Sequence, residues 1–228
     1  VERRDRRGRD ATDGHRGHRC RCRRAGRGTH DRARRSGNRR RCGRCGARFV
    51  RRLSGATTWG RGCTVISFVN RLRELAAETP DAPAVTCGEE VLTRSELMRR
   101  GGDLAVHLKG LGVEVGDLVT VAVPNSIEWF VSYVAVWMLG GTPQPVSSRL
   151  PQRELDAIIE LADPPVVIGA GPGTVKGRHA IPVGFVAPRA DASGLPDVVS
   201  PAWKAPTSGG STGRPKLIVS GDPAMMDE

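Results

Sequence analysis

Ten consecutive residues late in this 228-residue chain carry groups suited to holding an anion: Thr207-Ser208-Gly209-Gly210-Ser211-Thr212-Gly213-Arg214-Pro215-Lys216. Three glycines let the backbone turn tightly, so that several N–H groups can converge on one point. The hydroxyls of Thr207, Ser208, Ser211 and Thr212 add donors without adding charge. Lys216 supplies a mobile cation for a phosphate oxygen. Everything in the stretch donates, and a polyphosphate is the natural guest. The pattern is not a Walker A loop, which places Lys directly after the last Gly and then Ser or Thr. Here Arg214-Pro215 intervene and Leu217 follows. On composition alone two readings stand side by side, a flexible Gly/Ser linker and a phosphate loop.

The elements that must position this stretch are legible upstream. Phe68, Leu72, Leu75 and Ala76 share one helical face, which Pro80 terminates. Ala84-Val85-Thr86 and Glu90-Val91-Leu92 read as short strands. Thr93-Arg94-Ser95-Glu96 is a capping box opening a helix with Leu97, Leu104, Leu108 and Leu111 on its apolar face. That helix contains Gly101-Gly102 and ends at Gly112. Leu118 to Val123 is nearly all apolar, as for a strand covered on both faces. Pro124-Asn125-Ser126 breaks it and caps a helix running to about Leu139, after which Gly140-Gly141 turns the chain into an extended piece near Thr142–Val146. Pro151 suits the first turn of a helix with Leu155, Ile158, Ile159 and Ala162 on its face. Pro165 to Ile168 is the next strand. This alternation predicts an α/β fold with largely parallel pairing. Beyond Gly169 the pattern weakens and Gly and Pro dominate until about Trp203. Gly169-Ala170-Gly171-Pro172-Gly173 lacks the third glycine of a dinucleotide fingerprint, Thr174 standing in its place, and reads as a loop.

Thr207–Lys216 resembles the signature phosphate loop of the adenylate-forming enzymes, which include acyl-CoA synthetases, peptide-synthetase adenylation domains and luciferases. Further resemblance comes in order from Leu92-Thr93-x-x-Glu96-Leu97 and from Gly112-Val113-x-x-Gly116-Asp117-x-Val119 followed by Pro124-Asn125-Ser126. Gly140-Gly141 to Pro145, Arg149-Leu150 and Glu154-Leu155 continue it, so that it covers about Ser67 to Ser220 and none of residues 1–63.

The resemblance implies an incomplete N-terminal domain of the adenylate-forming fold over residues 64–228. It also implies a two-step reaction, in which a carboxylate attacks the α-phosphate of ATP and a thiol then displaces AMP. An acid–CoA ligase is the expected type, with ATP, Mg²⁺ and coenzyme A as cofactors; a carrier-loading adenylation domain is the alternative. By position, Thr207, Ser208, Gly209, Gly210, Ser211, Thr212 and Gly213 would wrap the phosphates, with Lys216 as the loop's cation. Glu154, Asp117 and Arg149 match the family as cap, turn and surface positions. The family's adenine and ribose contacts and its lid domain with the catalytic Lys follow this loop in sequence. They are expected to be missing from this chain, which is then expected to make no acyl-adenylate by itself. No catalytic residue and no metal ligand is therefore assigned. The Thr207-Ser208-Gly209-Gly210 opening and the stretch from Pro145 to Pro151 lean toward a fatty or bile acid as the carboxylic acid substrate.

Charge divides the chain. Residues 1–63 hold 22 Arg, no Lys and five acids, a net +17 against +12 for the whole, so the remaining 165 residues carry −5. With almost no large apolar residue before Phe49, the first segment cannot offset its ordering entropy and is expected to be disordered. Arg without Lys is what GC-rich codons produce, and the segment is expected to be translated from GC-rich sequence upstream of the true start or in the wrong frame. Cys20-x-Cys22 and Cys42-x-x-Cys45, with His15, His18 and His30 nearby, imitate zinc ligands, but one pair has the wrong spacing and nothing between them builds a core. An Arg-rich nucleic-acid arm is the outside reading; the segment lacks stacking aromatics before Phe49 and Trp59. Five of the six cysteines fall here, leaving Cys87 alone in the globular part, which suits a reducing cytoplasm. No apolar run is long enough to span a bilayer. Ile127 to Leu139 comes nearest and reads as a buried core helix.

Overall fold

The computed structural model describes residues 57–59, 63–208 and 215–227. The remainder of the Arg-rich segment, with its Cys20-x-Cys22 and Cys42-x-x-Cys45 pairs, lies outside the described residues.

A four-stranded parallel sheet forms the centre, built from β5 (Leu118–Val121), β6 (Thr142–Pro145), β7 (Val166–Ile168) and β8 (His179–Ile181) in the order β6-β5-β7-β8. The apolar run from Leu118 becomes a central strand because helices cover both of its faces. Toward one face, Val119, Val121, Val166 and Ile168 join the main core with α2 (Arg94–Gly110) and α3 (Ile127–Met138). Toward the other, Ala122 and Val167 pack with Ile158 and Ile159 of α4 (Gln152–Ala162). The fold is thus mixed α/β, as the alternation predicts.

In front of the sheet, β2 (Cys63–Ser67) runs into α1 (Phe68–Glu78), and β3 (Pro83–Cys87) pairs antiparallel with β4 (Glu90–Thr93). The flanking strand β1 (Thr57–Trp59) pairs with β2, so paired backbone reaches back across the expected boundary at residue 63. β2 also pairs with β11 (Met225–Asp227), which returns the last described residues to the start of α1.

Local signals explain the ends of these helices. Ser67 accepts from Asn70 N–H at the start of α1. Thr93 and Glu96 satisfy one another's backbone donors in a capping box at the start of α2. The two glycines inside α2 have a packing reason: a Cβ on Gly101 would lie 2.7 Å from Val134 Cγ1, and one on Gly102 would lie 2.9 Å from the Ala192 methyl. α2 and α3 can approach this closely because Gly101 has no side chain. Ser126 departs from expectation. It precedes α3, but its hydroxyl donates to Pro124 O instead of accepting from the helix. Most of Ile127–Met138 is buried, Phe130 being exposed, and among the described residues no helix is long and apolar enough to cross a membrane.

The sequence pattern does not announce β8 or the segment that follows it. Residues 182–200 form a strap over α2 and α3. Gly184 N–H donates to Glu128 Oε2, Ala190 N–H to Asp103 Oδ1, and Lys109 Nζ to Gly194 O. Phe185 packs on His107 at 4.8 Å between ring centroids. Asp103 is 6% exposed and also meets Arg99 Nη1 at 3.0 Å and Arg189 Nη1 at 3.6 Å. A buried carboxylate therefore fastens the strap that delivers the chain to the glycine-rich stretch.

Candidate functional site

The strap ends beside β6. Ser200 Oγ meets Thr142 Oγ1 at 3.2 Å and donates to Ala202 O, and Trp137 Nε1 donates to Trp203 O. Ala205 N–H then donates to Pro143 O at 3.0 Å. The chain thus advances in the same direction as β6 and leaves the sheet at the carboxyl end of the strands, where open α/β sheets bind ligands.

From there it forms an antiparallel hairpin of β9 (Thr207–Ser208) and β10 (Lys216–Leu217), with Thr207 opposite Leu217 and Ser208 opposite Lys216. Ile218 N–H donates to Pro206 O and Ser220 N–H to Lys204 O, extending the tie below the two-residue pairing. β10 also lies against α4. Three of the expected phosphate-binding residues are therefore brought together: Thr207 and Ser208 on one arm, half-buried, and Lys216 on the other, exposed. Gly209, Gly210, Ser211, Thr212 and Gly213 lie outside the described residues, as does Arg214. The strand-like run expected after Lys216 is short, since Ile218 and Val219 are each 54% exposed.

Asp117 and Arg149 take the turn and surface places expected of them, whereas Glu154 does not cap α4, whose N-cap Pro151 has no side-chain cap bond. Glu154 is exposed in the first turn of α4, where its N–H donates to Pro151 O. Asp117 Oδ2 accepts from Glu114 N–H at 2.8 Å and closes the turn before β5. Arg149 is exposed. Gly169 follows β7 with φ +96°, and a Cβ there would collide with the Ala122 carbonyl, so the glycine serves close packing of strand ends.

One group of polar residues was not singled out from the sequence. Thr120, Thr142, Gln144 and Ser200 are each 2% exposed or less, on or against the sheet face turned toward α4. A signal was present: Thr and Gln interrupt otherwise apolar extended runs. Chemically, the hairpin offers hydroxyls, backbone N–H groups and one ammonium. These suit phosphate oxygens and do not suit a bare metal ion. Among the described residues no cluster of three His, Cys, Asp or Glu is placed to hold one.

Comparison with known proteins agrees with this architecture. Residues 72–221 match the family described as AMP-binding enzyme. Bacitracin synthase 1 of Bacillus licheniformis is 29% identical over 168 residues, covering 71% of this chain and 3% of that protein. The crystal structure of the nonribosomal peptide synthetase FmoA3 aligns with a TM-score of 0.60 at 22% identity, over 70% of this chain and 17% of that one. O-succinylbenzoate coenzyme A synthetase (MenE) of Bacillus subtilis, in complex with AMP, aligns with a TM-score of 0.56 at 18% identity, over 68% and 42%. Three curated synthetases that the chain matches are spanned over only 1% to 3% of their length.

Proposed function

Because the chain belongs to the AMP-binding enzyme family, we propose that its β9–β10 hairpin holds the phosphates of ATP within an adenylation domain that activates a carboxylic acid and loads it onto a carrier protein. In the first step a carboxylate oxygen bonds to the α-phosphorus and the bond to the bridging oxygen breaks, releasing pyrophosphate. In the second, the carrier's thiolate attacks the acyl carbonyl and AMP leaves.

The observation that carries this reading is the register of the hairpin. Ser208 opposite Lys216 puts a hydroxyl and the ammonium on one face of the pair, a placement suited to the tail of a triphosphate. Donors fixed before the substrate arrives lose little in reorganisation as charge grows on departing pyrophosphate. Mg²⁺, which this chemistry uses to offset phosphate charge, would ride on the nucleotide's oxygens, because the hairpin supplies donors and no carboxylate.

The acid–CoA ligase expected from sequence gives way here to its alternative, since the relatives that cover most of the chain include a bacitracin synthase and a nonribosomal peptide synthetase. Coenzyme A as acceptor remains the second reading, favoured by the backbone likeness to MenE. The substrate stays a carboxylic acid, and the fatty or bile acid leaning is not carried forward. The test is carboxylate-dependent exchange of labelled pyrophosphate into ATP by the protein encoded by the whole reading frame, followed by thioester capture. No exchange with amino, aryl or alkyl acids would end the adenylation reading. Acyl transfer to coenzyme A but not to a carrier would reverse the choice of acceptor.

A further inference from the structure

The outgoing leg of the hairpin, residues 203–208, and the returning leg, residues 216–224, are gathered at one aromatic side chain. Trp137, in the last turn of α3, donates its indole N–H to Trp203 O at 3.0 Å, where the outgoing leg begins. Trp203 N–H donates in turn to Asp222 O, and Ser220 N–H to Lys204 O, so the two legs are joined to each other at this base. The same indole meets the Phe68 ring edge to face at 5.1 Å, and Phe68 N–H donates to Ala224 O at the end of the returning leg. Ala224 N–H donates to Ser200 O, which closes the circuit back to the outgoing side. Buried Tyr133, one turn earlier in α3, packs edge to face on Trp137 and leaves the indole little freedom to swing. A plain hydrocarbon ring would fill the same space, but only an indole carries a donor at its edge to reach a carbonyl. None of these contacts lies at the tip of the hairpin. They set where Ser208 and Lys216 stand before any ligand arrives.

We infer that Trp137 is a positioning residue for the phosphate hairpin: its indole N–H fixes the base from which both legs rise, so that Ser208 and Lys216 are ordered before an anion binds. The inference rests on the phosphate-binding reading of that hairpin. Its physical content is preorganisation. Backbone already ordered in the free protein need not be ordered by the ligand, and the entropy saved appears as affinity.

The test uses the 228-residue chain and inorganic tripolyphosphate. Trp137→Phe keeps an aromatic ring and removes the donor. Trp137→benzothienylalanine, in which sulfur replaces the indole N–H, removes the donor and keeps the shape. Both variants are expected to bind tripolyphosphate about fivefold more weakly, because the ordering of about one residue moves from folding into binding. In the free variants the Ile218 and Ser220 amide hydrogens, which bond to the outgoing leg, exchange faster than in the wild type, and tripolyphosphate restores their protection. A tie that serves stability alone would lower the urea midpoint and leave affinity unchanged, so wild-type affinity in the benzothienylalanine protein overturns the inference. So does equal protection of Ile218 and Ser220 in wild type and variant. If Trp137→Phe does not fold, the isosteric replacement decides alone. A wild-type chain that fails to bind tripolyphosphate instead removes the phosphate-binding reading beneath the inference, while Ile218 and Ser220 still report whether the indole orders the legs.

Discussion

Ser208 and Lys216 stand opposite one another across the antiparallel β9–β10 pair, so both ends of the glycine-rich stretch are fixed at a single place beside the sheet. That relationship sets the stretch apart from a free linker, because its two arms are paired. Lys216 is exposed, and its ammonium can be removed without disturbing the core. Lys216→Met is expected to weaken binding of tripolyphosphate and of ATP by about tenfold, as for loss of one charge-assisted hydrogen bond. Calorimetric titration at two salt concentrations checks this, and the salt dependence of the variant should be shallower. Unchanged affinity would show that the cation faces away from the ligand.

Gly169 supplies the next prediction. It adopts φ +96° and has no room for a methyl beside Ala122. Gly169→Ala is expected to cost about 3 kcal/mol, combining left-handed strain with overpacking at the strand ends. Gly177→Ala, at φ +68° with open space around it, should cost only about 1 kcal/mol. Urea unfolding of the two variants, compared with wild type, separates the contributions of space and conformation.

Asp103 is the anchor of the strap. Asp103→Ala is expected to destabilise by about 3 kcal/mol, because Arg99 and the Ala190 N–H lose a buried partner. The exposed Arg189 should matter little, with Arg189→Ala within about 0.5 kcal/mol of wild type. Limited proteolysis provides the second measurement: cleavage should appear between residues 182 and 200 in the aspartate variant first.

The α2 cap predicts a pH dependence. The Thr93 backbone N–H, reinforced by its hydroxyl, holds the Glu96 carboxyl below the usual glutamate range. A carboxyl whose folded value is depressed binds its proton more weakly in the native state. Its contribution is therefore fully present above the ordinary glutamate range and is lost as pH falls through the depressed value. Glu96→Gln should flatten that part of the stability–pH curve, as followed by urea midpoints in acid. Thr93→Ala should cost about 1 kcal/mol at neutral pH.

Much of the scaffold could be read from the residues because local rules there agree with the tertiary fold. Thr93 and Glu96 form their capping box whatever packs above them, and the apolar run from Leu118 has no stable place except between two layers. Ser126 misled because its hydroxyl found the nearer carbonyl of Pro124. β8 and the strap were not visible because long-range partners define them. His179–Ile181 has a strand's hydrogen bonds only by courtesy of β7, and residues 182–200 hold their course through Asp103, Glu128 and Lys109 on distant helices. In the candidate site, Thr207, Ser208 and Lys216 were legible from composition. The buried pairing of Thr120 with Gln144 was not, since it appears only once β5 and β6 are side by side.

The outer rim of β6 has a consequence of its own. Thr142 and Val146 direct their N–H groups inward, to Asp117 O and Val121 O, so the alternate positions that face outward are Pro143 and Pro145, which have none. That margin can receive hydrogen bonds but cannot return them. Pro143 O already takes the Ala205 N–H, so the flank is covered by this connection, and the two prolines leave the connection no donor to bond with along that margin.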